Sequence, residues 1–294
     1  MSHHFAGSMT ALVTPFRDGA IDNDALEQLV ERQLAHGTSA LVPCGSTGES
    51  ATLTHAEHVQ VVERVVAIAG GRVPVIAGTG SNSTNEAVEL TAAAKRAGAN
   101  AALLISPYYN RPTQEGIYQH YRIIAERTGM PLIVYNIPGR TGSKIEATTL
   151  ARLAELNGII GLKEATGSLD EAQEVARLCG DALEIYSGDD SLTLPMMAIG
   201  ATGVISVVSN VWPAQSARAV AAATDGDYAR ARVEHFKMLG MIRALFVETN
   251  PIPVKAALSM LGLCRDELRL PLLPLGDSHR DRVRRALVDA ELML

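Results

Sequence analysis

The chain has 294 residues, 47% of them apolar but only 4% aromatic, with a formal net charge of −6 and a pI of about 5.8. That charge, with no basic block or arginine–aromatic run, argues against a nucleic-acid binder, and three widely spaced cysteines (Cys44, Cys179, Cys264) without a C-x-x-C pair argue against a disulfide framework or a structural zinc site. No basic-then-apolar leader opens the chain and no uninterrupted apolar run reaches about 18 residues, so a cytoplasmic protein without membrane contact is expected.

One unit repeats along the chain. A short apolar run ends in Gly, Pro, Ser or Asn, and an amphipathic stretch rich in Ala, Glu and Arg follows. The predicted strands cover 9–14, 40–43, 73–77, 101–106, 132–136, 159–163, 183–187 and 203–208. Their starts lie roughly 20 to 35 residues apart, the length of a strand plus a crossover helix. With so few aromatics, Ala, Val, Leu and Ile must fill the core, which suits a parallel sheet buried on both faces. Eight units predict an α/β fold, a (β/α)8 TIM barrel, over residues 1–226. An open doubly wound sheet would carry a Gly-rich fingerprint after its first strand, whereas Thr14-Pro15-Phe16 is no phosphate cradle. The strand pattern stops near residue 212. Helices broken at Pro251-Ile252-Pro253 and around 271–274 follow, so 227–294 is predicted as a C-terminal helical extension packed on the barrel. Helix starts are signalled by Asp22 or Asn23, by Thr113 or Gln114, and by two capping boxes, Thr54 with Glu57 and Ser83 with Glu86.

Barrel enzymes carry their reactive groups at the C-terminal ends of strands. Of the five lysines, Lys95, Lys144, Lys237 and Lys255 fall in helical or loop patterns, where a solvated ammonium is expected; Lys163 alone ends an apolar strand. Alternation would place Ile159 and Gly161 on its side, leaving space beneath the lysine stem at Gly161. A lysine desolvated there loses proton affinity and becomes a nucleophile toward carbonyls. The competing reading is a rim lysine paired with Glu164. Tyr135, inward-facing with Ile133 on the preceding strand, is either a proton shuttle for such an amine or a buried tyrosine with one hydrogen bond. Ser46, Thr47 and Tyr109 would extend a hydroxyl relay. The Gly45-Ser46-Thr47-Gly48 turn is either a carboxylate cradle of backbone N–H groups or a plain tight turn. Arg140 is either a fork for a second carboxylate or a surface arginine. Cys44 lacks a histidine to activate it and reads as a small buried residue. His55 and His58 lack a third metal ligand and read as an exposed, capped helix start. Asp189 and Asp190 diverge too much to share a cation.

Taken together, Gly45-Ser46-Thr47-Gly48-Glu49-Ser50, Tyr108-Tyr109-Asn110-Arg111-Pro112, Tyr135-Asn136-Ile137-Pro138-Gly139-Arg140-Thr141-Gly142, Gly161-Leu162-Lys163-Glu164 and Glu248-Thr249-Asn250-Pro251-Ile252-Pro253-Val254-Lys255 resemble the dihydrodipicolinate synthase family, within the pyruvate-dependent class I aldolase / N-acetylneuraminate lyase superfamily. The resemblance covers essentially the whole chain. It implies a lyase that condenses pyruvate with L-aspartate 4-semialdehyde in lysine and diaminopimelate biosynthesis, with no metal and no organic cofactor. It assigns the Schiff base to Lys163 and acid/base work to Tyr135, in a relay with Ser46 and with Tyr109 reaching across a subunit interface. Thr47, Arg140, Gly188 and Ile205 are the implied substrate contacts. An allosteric L-lysine site is implied at Ser50, Ala51, His55, His58, Asn82, Glu86 and Tyr108, and the implied assembly is a homotetramer, a dimer of dimers. Ser46 stands where the family usually has threonine; it keeps the hydroxyl but loses the methyl that fixes the rotamer. Related aldolases acting on N-acetylneuraminate or keto-deoxy-sugar acids would share Lys163, Tyr135 and the Gly45–Glu49 turn, as would a non-catalytic keto-acid binder; Arg140 and the Tyr108–Arg111 stretch favour the semialdehyde.

Overall fold

The computed structural model describes residues 5–294. Eight parallel strands form one sheet: β1 (Gly7–Ala11), β2 (Ala40–Val42), β3 (Ile76–Gly78), β4 (Ala101–Ile105), β5 (Leu132–Asn136), β6 (Ile159–Glu164), β7 (Glu184–Ser187) and β8 (Gly203–Ser206). They are hydrogen-bonded in the order β2-β1-β8-β7-β6-β5-β4-β3. The two ends of that row meet where Leu41 bridges Val75. There Leu41 N–H donates to the Pro74 carbonyl at 3.0 Å and Gly78 N–H to the Pro43 carbonyl at 2.9 Å. The sheet is therefore a closed (β/α)8 barrel, and all eight predicted strands are present. The ladder of β3 starts at Ile76 rather than 73, since Pro74 has no N–H to give it. β1 ends at Ala11, short of the predicted 14, because Phe16–Arg17 and Ala20–Ile21 fold back as a small antiparallel pair.

Around the barrel lie α1 (Asn23–Ala35), α2 (His55–Ala69), α3 (Thr84–Arg96), α4 (Gln114–Thr128), α5 (Ala147–Ala154), α6 (Leu169–Cys179), α7 (Thr193–Ala198) and α8 (Pro213–Thr224); α9 (Tyr228–Leu245), α10 (Ile252–Met260) and α11 (Asp277–Asp289) follow. Asp22 caps α1 through Ala25 N–H, and Thr113 caps α4 through Gly116 N–H. Thr54 and Glu57 form the predicted reciprocal box. The second predicted box does not form. Ser83 makes no side-chain cap, because Glu86 is held instead by the Ser81 hydroxyl and by His55 Nε2 at 2.6 Å.

Apolar residues sort into three groups. Met9, Val42, Ile76, Leu103, Ile133, Tyr135, Tyr186 and Ile205 fill the barrel interior. Leu41, Leu104, Val134, Leu162 and Ile185 point outward against Val62, Ile117, Leu150 and Val175 of the helical ring. Met241, Leu245, Val254, Leu258, Val283 and Leu287 form a third cluster that reaches Val13 and Leu29, so α9–α11 pack onto the end of β1 and onto α1.

β6 departs from the expected alternation. Its register with β5 slips between Leu132 and Ile133, so that Leu132 faces Ile159 while Ile133 faces Gly161. This bulge sends Ile159 outward and Ile160 inward. Ile159 therefore does not share the side of Lys163; one extra residue flips the parity of everything before it. Among the described residues no helix is long and apolar enough to cross a membrane.

Candidate active site

Lys163 and Tyr135 are register partners on β6 and β5. The lysine Nζ lies 4.3 Å from the centroid of the Tyr135 ring. Lys163 is only 5% exposed. Burial lowers its pKa to about 8; the charge of Asp190 opposes the shift and that of Arg140 adds to it. Glu164 does not pair with it. That side chain is buried and accepts from Thr166 N–H at 2.6 Å. The space at Gly161 serves a different purpose from the one expected. A Cβ there would come within 2.8 Å of Tyr186 Cε2, so the glycine makes room for a tyrosine ring rather than for the lysine stem. Gly188 is the residue that borders the stem, for its added Cβ would lie 3.1 Å from Lys163 Cε and 2.9 Å from the Glu164 carbonyl.

Both carboxylate oxygens of Asp190 are taken up by protein donors. Its Oδ1 accepts from the Ser206 hydroxyl at 2.6 Å, and its Oδ2 accepts from Val207 and Val208 N–H at 3.0 Å each. It thereby fastens the end of β8, just beyond Ile205. Among the described residues no group of three or more His, Cys, Asp or Glu is placed to hold a metal ion.

Burial pushes the Tyr135 phenol up to about 12, while the charge of Arg140 and a hydrogen bond with the Ser46 side chain pull it partly back. The phenol is thus a neutral O–H donor at ordinary pH, in contact with one further hydroxyl. Ser46 belongs to a turn closed by Gly48 N–H on the Gly45 carbonyl at 3.0 Å and Glu49 N–H on the Ser46 carbonyl at 3.3 Å. The N–H groups of Ser46 and Thr47 donate to no acceptor among the described residues. Two successive N–H groups of this kind suit a small anion. Cys44, at the start of this turn, is buried, its Sγ donates to the His58 carbonyl at 3.6 Å, and burial raises its thiol pKa.

The sequence reading gave Asn250 no role, yet it joins two parts of the site. Its Nδ2 donates to Thr47 Oγ1 at 2.9 Å, and its carbonyl accepts from Arg140 Nη2 at 2.8 Å. Arg140 stands on a one-turn helix, Pro138–Thr141. The loop beyond is pinned to β5 by Asn136, whose Nδ2 donates to the Ile145 carbonyl and whose Oδ1 accepts from Ile145 N–H. No local pattern marks Asn250, because its partners lie more than 100 residues away.

A cleft of about 440 Å³ runs from Ser46, Tyr135, Arg140 and Asn250 to Ser50, Ala51, His55, His58, Glu86 and Tyr108. Ser46, Tyr135 and Arg140 thus share one continuous surface with six of the seven residues implied for regulation, in the single chain. Asn82 supports it by donating to the Tyr108 carbonyl at 3.1 Å. His58 departs from the expected exposed helix start: it is buried and its ring Nε2 pairs with the Gly78 carbonyl at 2.7 Å. Tyr109 is not brought to Lys163. It is 88% exposed and has a left-handed φ of 71°.

The Dihydrodipicolinate synthetase family model matches residues 4–290. A 4-hydroxy-tetrahydrodipicolinate synthase of Pelobacter propionicus is 55% identical over 276 residues, 94% of this chain and 95% of that protein. The crystal structure of dihydrodipicolinate synthase from Aquifex aeolicus superposes with a TM-score of 0.97 at 48% identity, covering 99% of both chains. The Acinetobacter baumannii enzyme complexed with pyruvate gives 0.97 at 46% identity, covering 99% of this chain and 100% of that one. The Cyanidioschyzon merolae enzyme with lysine bound gives 0.95 at 40%, covering 98% and 99%. A closed barrel with a desolvated lysine at its mouth, and likeness of this extent, lead to one conclusion: the chain belongs to the dihydrodipicolinate synthetase family.

Proposed function

We propose that the chain is a lyase that carries out the 4-hydroxy-tetrahydrodipicolinate synthase reaction, joining pyruvate to L-aspartate 4-semialdehyde through an imine on Lys163. The observation that carries this reading is the buried amine 4.3 Å from the Tyr135 ring centroid, beside unpaired N–H groups that suit a small carboxylate. In the first step the free amine attacks C2 of pyruvate and Tyr135 donates the proton with which the carbonyl oxygen leaves as water. Loss of a methyl proton gives an enamine, whose carbon attacks the aldehyde. The substrate's own amine then displaces Lys163 and closes the ring. Thr47 and the Ser46–Thr47 backbone hold the first carboxylate, Arg140 the second, and Gly188 and Ile205 border the keto acid. Borohydride reduction in the presence of pyruvate should give a covalent adduct on Lys163, and aspartate semialdehyde should be consumed far faster than N-acetylneuraminate is cleaved. A faster reaction with the sugar acid would reassign the substrate.

The same reading extends to regulation and assembly. His55, Glu86, Ser50, Ala51, His58 and Tyr108, with Asn82 behind them, form a receptor for an amino acid with a cationic side chain. The His55–Glu86 pair at 2.6 Å supplies the carboxylate for that cation. L-Lysine titrated into the assay should therefore lower the rate, and a rate unchanged at millimolar lysine would remove the regulatory site. Tyr109, too exposed to serve its own chain, reaches the relay of a second copy in a homotetramer arranged as a dimer of dimers. The division at 226/227 separates the barrel from its helical extension. The compartment is the cytoplasm.

A further inference from the structure

The C-terminal helices grip the anion cradle through a buried charge. Lys255 of α10 is 0% exposed and lies 2.6 Å from Glu49 Oε1, itself 1% exposed. This overturns the expectation of a solvated ammonium. The same Nζ donates to the Thr14 carbonyl at 3.0 Å, and the Thr14 hydroxyl donates to the Gly48 carbonyl at 2.7 Å. Lys255 therefore reaches the far end of the Gly45–Glu49 turn by two routes, one directly through Glu49 and one through Thr14. The other oxygen of Glu49 accepts from Arg269 N–H at 3.1 Å. Both cations also meet the Phe16 ring, with Lys255 Nζ 4.3 Å and Arg269 Cζ 4.5 Å from its centroid.

The turn needs such a grip. Cys44 and Glu49, which bracket it, both hold left-handed φ values, 56° and 53°. Residues with a Cβ stay there only where the surroundings impose it. Packing alone would not call for a lysine at 255, since an apolar side chain of equal volume avoids the desolvation cost of burying two charges.

We propose that Lys255 is a positioning residue for keto-acid binding: by gripping Glu49 and Thr14 it sets the spacing of the Ser46 and Thr47 N–H groups that receive the substrate carboxylate. This rests on the assignment of that turn to the pyruvate carboxylate. Residues 250–255 then orient the cradle twice, its side chain through Asn250 and its backbone through Lys255.

The test is the double variant Glu49→Gln/Lys255→Met, which removes both charges and strands neither. The parent is first trapped with pyruvate and borohydride. The double variant should unfold within about 5 °C of the parent, while its KM for pyruvate rises roughly tenfold or more. Its kcat at saturating pyruvate and its KM for the semialdehyde should change by less than about threefold, a split that general loosening of the fold would not produce. A folded double variant whose pyruvate KM stays within about twofold of the parent overturns the proposal. A double variant that does not fold also overturns it, in favour of a purely structural pair. A parent that is not trapped removes the keto-acid reading, and this proposal with it.

Discussion

Replacing Lys163 with alanine should lower turnover by roughly 10³-fold or more, the scale on which loss of a covalent nucleophile is felt. Borohydride with pyruvate should then leave the protein unmodified. The expectation follows from solvation. At a pKa of about 8, about one-tenth of the amine is unprotonated at pH 7, roughly 300-fold more than for an ordinary lysine. The sign of the pH dependence follows as well. The neutral amine is the nucleophile, so the trapping rate of the parent should climb as pH rises toward 8 and level off above it. Alanine loses the buried alkyl contacts of the stem but also the cost of desolvating an amine, so the variant should remain folded. A variant that keeps turnover within about tenfold of the parent would remove Lys163 from the chemistry.

Tyr135→Phe should lower kcat by roughly 10²- to 10⁴-fold, the usual worth of a positioned proton donor. The ring that lies 4.3 Å from Nζ is retained, so the surroundings of the amine change little. Pyruvate trapping should persist but slow, because formation of the imine needs a proton for the departing water and bulk solvent supplies it poorly at this depth. Since the phenol is held up at about 12, the parent's activity should show no loss from tyrosine ionisation between pH 7 and 10. Turnover of the phenylalanine variant equal to that of the parent would transfer the proton work to Ser46 or to solvent.

Much of this was readable from residue order, for identifiable reasons. Gly, Pro, Ser or Asn end most of the apolar runs, so the eight strands could be counted. Lys163 stood out because a charge at the end of an apolar strand has no local explanation. The features that escaped depend on partners distant along the chain. Lys255 sits in a helical pattern like any solvated lysine, and Glu49, which buries it, is 206 positions away. Asn250 is joined to Thr47 across 203 positions. Glu86 fits a capping box three residues after Ser83, yet Ser81 and His55 outbid the local N–H for its carboxylate. At Gly161 the missing side chain was read correctly as space, but what fills that space is Tyr186, from the neighbouring strand.

The slipped register at the start of β6 acts as a ruler for the chemistry. Neighbouring side chains at 163 and 164 face opposite ways, one toward the Tyr135 ring and one toward Thr166. Shortening the segment before Leu162 by a single residue would bring Glu164 to the place of the amine, and lengthening it by one would bring Leu162 there. The length of this short stretch is therefore under a tighter constraint than its composition: exchange of Ile159 or Ile160 for another branched apolar side chain should cost far less than an insertion or deletion.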